Sequence, residues 1–209
     1  MTGEQLTGTV FVVDDDQAIR DSLERLLREV GLSVECFDSA QAFLARFDPD
    51  EPGALVIDVR MPGMSGLDVQ KKLLDEGHET PVIIVTGHGD VPMAVEALKR
   101  GAMDFVEKPF RPQVLLDTIR QALEEDRLLR DAKHRKLDIA SRFKLLTVRE
   151  REVVDRVVNG ATNKGVAAEL GVSPQAIDAR RARAMRKLQV GTVPELVQLF
   201  VKAQYAGVI

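Results

Sequence analysis

The chain has 209 residues, 44% hydrophobic and 30% charged, enough apolar material for one large or two small cores; no apolar run is long enough to span a bilayer. Its one cysteine, Cys36, excludes an internal disulfide framework and fits a reducing compartment. Met1–Gln5 has neither the basic nor the apolar segment of a signal peptide, so a cytoplasmic protein is expected. The net charge of −4 hides an asymmetry. Through residue 124 there are 12 Lys and Arg against 23 Asp and Glu, a balance of −11; after it there are 17 against 10, a balance of +7. Halves of opposite sign suit different partners, and the basic half favours a polyanion.

In chain order, Val10-Phe11-Val12-Val13 reads as a buried strand ending at Asp14-Asp15-Asp16. Ile19, Leu23, Leu26, Leu27 and Val30 follow at helical spacing, with Gly31 as the stop. Ser33 to Phe37 is a second strand, in which Cys36 has a packing role. Ser39 caps a helix reaching about Phe47, and Asp48-Pro49-Asp50-Glu51-Pro52-Gly53 is a turn-rich loop. Leu55-Val56-Ile57 is a third strand that stops at Asp58, before the turn Arg60-Met61-Pro62-Gly63. A helix is predicted from about Leu67 to Asp75. Pro81 to Val85 is a fourth strand, ending at Thr86-Gly87-His88-Gly89. Val91 to Arg100 is helical, Phe105-Val106 is a short fifth strand ending at Glu107-Lys108-Pro109, and a long helix starts near Pro112. Strands that are apolar throughout and alternate with helices predict an α/β doubly wound, five-stranded parallel sheet.

In such a sheet chemistry gathers at the carboxyl ends of the strands. There the sequence collects Asp14 and Asp15, Asp58, Thr86 and Lys108. Carboxylates about 4 Å apart repel by roughly 4 kcal/mol at an effective dielectric of 20, and a hard divalent cation such as Mg2+ (or Mn2+) is the ordinary remedy. Taken singly, each residue has a plainer explanation: a solvated acidic turn, a strand filler, a surface lysine. Together they suit phosphoryl chemistry. A carboxylate can act as nucleophile toward phosphorus, while a metal, an ammonium and a hydroxyl balance charge on the phosphoryl oxygens.

From Glu124 to Phe143 the chain mixes both charge signs with neither Gly nor Pro, as an exposed helix with i,i+4 ion pairs does. Leu123, Leu128, Leu129 and Ala132 form a short apolar seam that either pairs with a second copy or is simply part of a solvated linker. Beyond it, Thr147 and Glu150 make a capping box for a helix continuing through Val153, Val154, Val157 and Val158 to Asn159-Gly160. A helix from about Asn163 to Leu170 ends in Gly171-Val172-Ser173. Another, opened by Ser173 and Pro174, runs to about Leu188; a last one spans Val193 to Val201 and is a candidate dimer contact. Two short helices joined by a tight Gly-containing turn are a helix-turn-helix, whose second helix enters the DNA major groove. That helix carries Arg180, Arg181, Arg183, Arg186 and Lys187, read as five cations on one exposed face, against the single acid Asp178; Ile177, Ala184 and Leu188 form its buried side.

Val-Val-Asp-Asp-Asp, Val-Ile-Asp-Val-Arg-Met-Pro-Gly, Val-Thr-Gly-His-Gly-Asp-Val-Pro-Met-Ala and Glu-Lys-Pro-Phe together resemble the flavodoxin-like receiver domain of two-component response regulators, with Thr86 to Phe110 most similar to the FixJ-like subgroup. The resemblance implies that Asp58 accepts a phosphoryl group from a sensor histidine kinase. It implies that Asp14, Asp15, Asp58 and the backbone carbonyl of Arg60 hold Mg2+, that Thr86 and Lys108 contact the phosphoryl oxygens, and that Lys108-Pro109 is cis. Phe105 stands at the aromatic switch position, where many relatives have tyrosine. The basic half resembles the LuxR-type helix-turn-helix of NarL/FixJ regulators in Leu146-Thr147-x-Arg149-Glu150-x-Glu152-Val153, Asn163-Lys164-x-Val166-Ala167, Leu170-x-Val172-Ser173-Pro174 and Arg181-x-x-x-Met185-x-Lys187-Leu188. By position Asp178, Ala179, Ala182 and Arg183 would face base edges. Asn163, Lys164, Ser173, Gln175, Arg180, Arg181 and Lys187 complete the DNA-binding set, most of them toward phosphates. Ala176 and Arg180 depart from the hydroxyl residue and histidine usual there.

These resemblances imply a receiver at 1–124, a helical charged linker at 125–143 and a four-helix DNA-binding domain at 144–209. Phosphorylation would promote homodimerisation and binding to double-stranded promoter DNA, with no membrane partner and no enzyme activity beyond the acceptor's own phosphoryl chemistry. The rival reading is an enzyme: Asp14-x-Asp16 after a first strand also resembles the haloacid-dehalogenase phosphatases, with Asp14 as nucleophile and Asp16 as general acid. It leaves Asp58 and the basic half unexplained. A dinucleotide enzyme is weaker still, because no Gly-rich turn follows the first strand. A third reading is a DNA-binding protein with an inert receiver.

Overall fold

The computed structural model describes residues 8–87 and 91–209. Grouping by contact divides the chain into two units, Met1–Arg130 and Asp131–Ile209. In the first, strands β1 (Thr9–Val13), β2 (Ser33–Phe37), β3 (Gly53–Asp58), β4 (Val82–Thr86) and β5 (Asp104–Glu107) pair in the order β2-β1-β3-β4-β5, all parallel. Helices α1 (Gln17–Glu29), α2 (Ala40–Arg46), α3 (Gly66–Asp75) and α4 (Val91–Lys99) fill the crossovers, and α5 (Pro112–Lys144) follows β5. This is the doubly wound sheet that the apolar runs predict.

The two faces separate by residue parity. Val10, Val12, Ala54, Val56, Ile83 and Val85 pack with Leu23 and Leu27 of α1 and Leu115, Ile119 and Leu123 of α5. Phe11, Val13, Leu55, Ile57, Val82 and Ile84 pack with Phe43, Val69, Leu73 and Ala97 of α2, α3 and α4. Alternation of side chains along each strand produces both layers, and burying each Leu, Ile or Phe contributes about 1.5–3 kcal/mol. Glycine brackets the central strand. A Cβ on Gly53 would lie 2.2 Å from the Thr9 carbonyl oxygen, and one on Gly66 would lie 2.3 Å from that of Asp58.

Element ends follow capping chemistry. Asp16 caps α1, accepting from the amides of Ala18 and Ile19, and Ser39 caps α2. Helix α3 opens at Gly66, ahead of its first apolar position, because Ser65 and Asp68 form a capping box. Strand β3 begins at Gly53 rather than Leu55.

The second unit contains α6 (Val148–Val158), α7 (Asn163–Leu170), α8 (Pro174–Leu188) and α9 (Val193–Tyr205), around Val153, Val154, Val157, Val166, Ile177, Ala184, Leu188, Leu196 and Ala203. Thr147 with Glu150 and Ser173 with Pro174 open α6 and α8 as read, while α9 runs past Val201 to Tyr205. Phe143, in the last turn of α5, is buried in this core with its ring 6.3 Å from that of Phe200. The seam on α5 is corrected: Leu123 is buried in the sheet core while Leu128 points to solvent, so the two share no face for a second copy. Among the described residues no helix is long and apolar enough to cross a membrane.

Candidate functional site

Strand register brings the acids together. Val13 pairs with Ile57, so the next residue of each chain segment, Asp14 and Asp58, lie side by side where β1 and β3 end. Carboxylate oxygens of Asp14, Asp15 and Asp58 lie within 4.8 Å of one another, with Asp14 3% and Asp58 8% exposed and Asp15 open to solvent. Lys108, just beyond β5, reaches into this cluster. Its Nζ is 2.6 Å from Asp14 Oδ2 and 3.1 Å from Asp58 Oδ1. The Lys108-Pro109 bond is cis, as the resemblance implies.

Backbone amides orient the same carboxylates. Asp16 N–H donates to Asp14 Oδ1 at 2.9 Å, and Arg60 N–H donates to Asp58 Oδ2 at 3.2 Å. A group that spacing alone does not point to is Arg20, one turn into α1, whose NH1 donates to the Asp14 carbonyl at 2.6 Å. Burial raises the Asp58 carboxyl above its ordinary range, Lys108 pulls it back, and the charge on Asp14 pushes it further up. Burial works against the Lys108 ammonium, but the two carboxylates outweigh it and raise that group.

The donor set fits a hard divalent cation. Three carboxylates face one ammonium, which leaves two negative charges unbalanced, and Asp15 has no hydrogen-bonding partner among the described residues. Oxygen ligands in a cluster of that size and charge suit Mg2+ better than softer metals.

Thr86 is 1% exposed at the end of β4, with its hydroxyl 3.4 Å from the Gly87 carbonyl. Phe105 is half-buried against the core of α3 and α4. The expected strand-end residues His88 and Gly89, with Asp90, lie outside the described residues. Asp16, which a phosphatase would need as general acid, is spent as the cap of α1: its Oδ1 accepts from Ala18 N–H at 2.8 Å.

In the helical unit, Ile177, Ala184 and Leu188 are buried as expected. The exposed face of α8 presents Gln175, Asp178, Ala179, Ala182, Arg183 and Arg186, with Ser173 and Pro174 exposed at its start. The reading of five cations on one exposed face is corrected. Arg180, Arg181 and Lys187 flank the buried stripe and are half-buried, because a 3.6-residue period places them beside Ile177, Ala184 and Leu188. Lys187 is held inside the unit: its Nζ is 2.7 Å from Glu150 Oε2, and Arg183 Nε is 3.7 Å from Glu150 Oε1. Asp178 Oδ1 accepts from Asn163 Nδ2 at 3.0 Å and from Arg181 NH2 at 2.8 Å, tying the start of α7 to α8. Lys164, Arg180 and Arg186 have no acidic partner among the described residues.

Glu150 is the residue whose importance exceeds its sequence signal. It closes the capping box of α6, is 4% exposed, and faces the two basic residues of α8. Burial opposes its charge, but Lys187 and the two Thr147 hydrogen bonds hold its carboxyl down at about 2.

Comparison with known proteins matches both halves. Residues 10–120 fit the response regulator receiver domain, and residues 144–200 fit the bacterial regulatory proteins of the luxR family. The response regulator protein TodT of Pseudomonas putida is 43% identical over 190 residues, covering 91% of this chain and 84% of its own. The transcriptional regulatory protein FixJ of Bradyrhizobium diazoefficiens is 42% identical over 196 residues, covering 94% and 96%. The low-resolution structure of the response regulator StyR superposes with a TM-score of 0.90 at 42% identity, over 93% of this chain and 98% of that one. Full-length FixJ from B. japonicum gives 0.59 at 42% identity, over 95% and 98%. These relatives are response and transcriptional regulators, so the phosphatase reading has no support; a receiver implies a histidine kinase as partner and the luxR-type half implies DNA. With an acidic pocket on a five-stranded sheet and a basic helix-turn-helix on one chain, the protein belongs to the FixJ-like response regulators, transcription factors that join a receiver to a LuxR-type DNA-binding domain.

Proposed function

We propose that Asp58 is the phosphoacceptor, that Asp14, Asp15, Asp58 and the Arg60 carbonyl hold Mg2+, and that phosphorylation drives dimerisation and promoter binding through α8. The observation that carries this reading is the Asp58 carboxylate at the end of β3, buried and hydrogen-bonded to Lys108 beside two further acids. Bound Mg2+ supplies charge neutralisation for the phosphoryl oxygens and the attacking carboxylate. Burial keeps Asp58 more basic than an exposed carboxylate, which favours it as nucleophile.

A carboxylate oxygen of Asp58 attacks phosphorus in line. The bond from phosphorus to the kinase imidazole breaks, and that imidazole keeps the electron pair and takes a proton. Lys108, whose single positive charge is shared between Asp14 and Asp58 beforehand, turns its ammonium to the new phosphoryl oxygens. The Thr86 hydroxyl donates to another of them, leaving the Gly87 carbonyl, and Phe105 moves into the space this opens. The face made by α4, β5 and the start of α5 repacks and pairs with a second copy. Moving the equilibrium from mostly off to mostly on takes about 5.5 kcal/mol of differential stabilisation. On DNA, Asp178, Ala179, Ala182 and Arg183 face base edges. Asn163, Lys164, Ser173, Gln175, Arg180, Arg181 and Lys187 complete the contact set, with Lys187 exchanging Glu150 for phosphate only in part.

The test is Asp58→Asn treated with acetyl phosphate and Mg2+. Wild type should gain covalent phosphate and dimerise, and should gain neither when Mg2+ is chelated. An Asp58→Asn chain that is phosphorylated and dimerises as wild type does refutes the reading.

A further inference from the structure

The edge of the sheet opposite the acidic pocket carries a second charged assembly. Asp126, on α5, is 4% exposed. Its Oδ2 accepts from the Gly53 amide at 3.0 Å, and both its oxygens accept from Arg130 Nε, at 3.0 and 2.8 Å. Arg130 then donates to three carbonyls of the loop before β3: Asp50 at 3.0 Å, Pro49 at 3.2 Å and Glu51 at 2.5 Å. All five N–H donors of a guanidinium lie in one plane, and this fork uses three of its nitrogens on acceptors 79 to 81 residues away or on a buried carboxylate.

A solvated surface pair contributes little, because water screens it and two long side chains must be ordered to hold it. This pair is different in kind. The Arg130 side chain is 19% exposed and that of Asp126 5%, and between them they satisfy backbone groups of the loop and of the strand's first residue. Gly53 opens β3 and Asp58 closes it, so the assembly and the acidic pocket sit at the two ends of one buried strand. By contrast, residues 132–138 of α5 are all exposed and bury nothing.

We propose that Asp126 and Arg130 form an ion-pair latch that makes residues 125–130 part of the receiver. The latch moves the end of the receiver's buried attachment from residue 124 to residue 130, and it references the outgoing helix to the strand that bears Asp58. A change in the receiver is thereby handed to the start of the connecting helix, and through it to the DNA response. Phosphorylation at Asp58 belongs to the reading above; the latch itself rests on the hydrogen bonds alone.

Hydrogen exchange of the full-length chain tests it, with Arg130→Met and with Asp126→Asn/Arg130→Met, which removes both buried charges and keeps an acceptor for the Gly53 amide. The amides of Gly53 and of residues 125–130 should lose protection at least tenfold in either variant, the double no more than the single, while β1, β4 and α6 to α9 are unchanged. The rise in affinity for target DNA on adding acetyl phosphate should shrink toward one, with basal affinity intact. Unchanged protection at residues 125–130, or a full phosphodonor response in a variant that has lost that protection, overturns the proposal. A wild-type chain that gives no phosphodonor response counts against Asp58 as acceptor, and the exchange pattern then decides the latch.

Discussion

Replacing Glu150 by Gln should destabilise the helical unit by about 2 to 3 kcal/mol at pH 7. The Glu150 carboxyl sits at about 2 in the folded unit against an ordinary 4.5. A unit of pKa corresponds to about 1.36 kcal/mol, so the ionised form gains about 3 kcal/mol on folding. Glutamine can still accept from Thr147 and keep the cap, and Lys187 retains some contact with water, so the loss stays at or below that figure. The sign follows from a folded carboxyl held below its unfolded value. The contribution is complete above about pH 4.5 and disappears as pH falls toward 2. Wild type and Glu150→Gln should therefore differ most near neutrality and converge at the acid end. Amide exchange at Val153, Val157, Ile177 and Leu188, followed across that range, reads it directly as a loss of protection on the order of a hundredfold at pH 7. Protection within a factor of about two of wild type at pH 7, or a difference that does not narrow below about pH 4.5, refutes the argument.

Two further substitutions probe the two sites separately. Gly66→Ala should cost about 3 kcal/mol or more and weaken Mg2+ binding, because its Cβ would be driven against the Asp58 carbonyl; calorimetric titration and thermal unfolding of the full chain measure both. Arg180→Ala should leave stability unchanged and lower the slope of log affinity against log salt by about one phosphate contact, which DNA titration at several salt concentrations records.

Much of this architecture is legible in the sequence. Parallel strands buried on both faces must be uninterrupted apolar runs, so Val10–Val13, Leu55–Ile57 and Val82–Val85 announce themselves, and the polar residue that ends each one stands at the reactive edge. Capping boxes are equally local, although Ser65-x-x-Asp68 escapes a reading that starts helices at their first apolar position. What stays hidden is the pairing of charges distant in sequence. Asp126 and Arg130 lie in a run of acids and bases from Glu124 to Lys136 in which each looks like the next; only the phase of α5 on the sheet selects these two to meet the loop before β3. The same holds for α8, where counting five cations ignores the period that turns Arg180, Arg181 and Lys187 toward the buried stripe, and where the acid that engages Lys187 comes from another helix.

The exposure of α5 from residue 132 to 138 has a consequence for building hybrid regulators. A crossover placed there exchanges one output for another without cutting a buried contact, whereas a joint placed a few residues earlier severs the guanidinium from its three carbonyls. A joint in that solvent-facing stretch leaves the packed cores on either side whole.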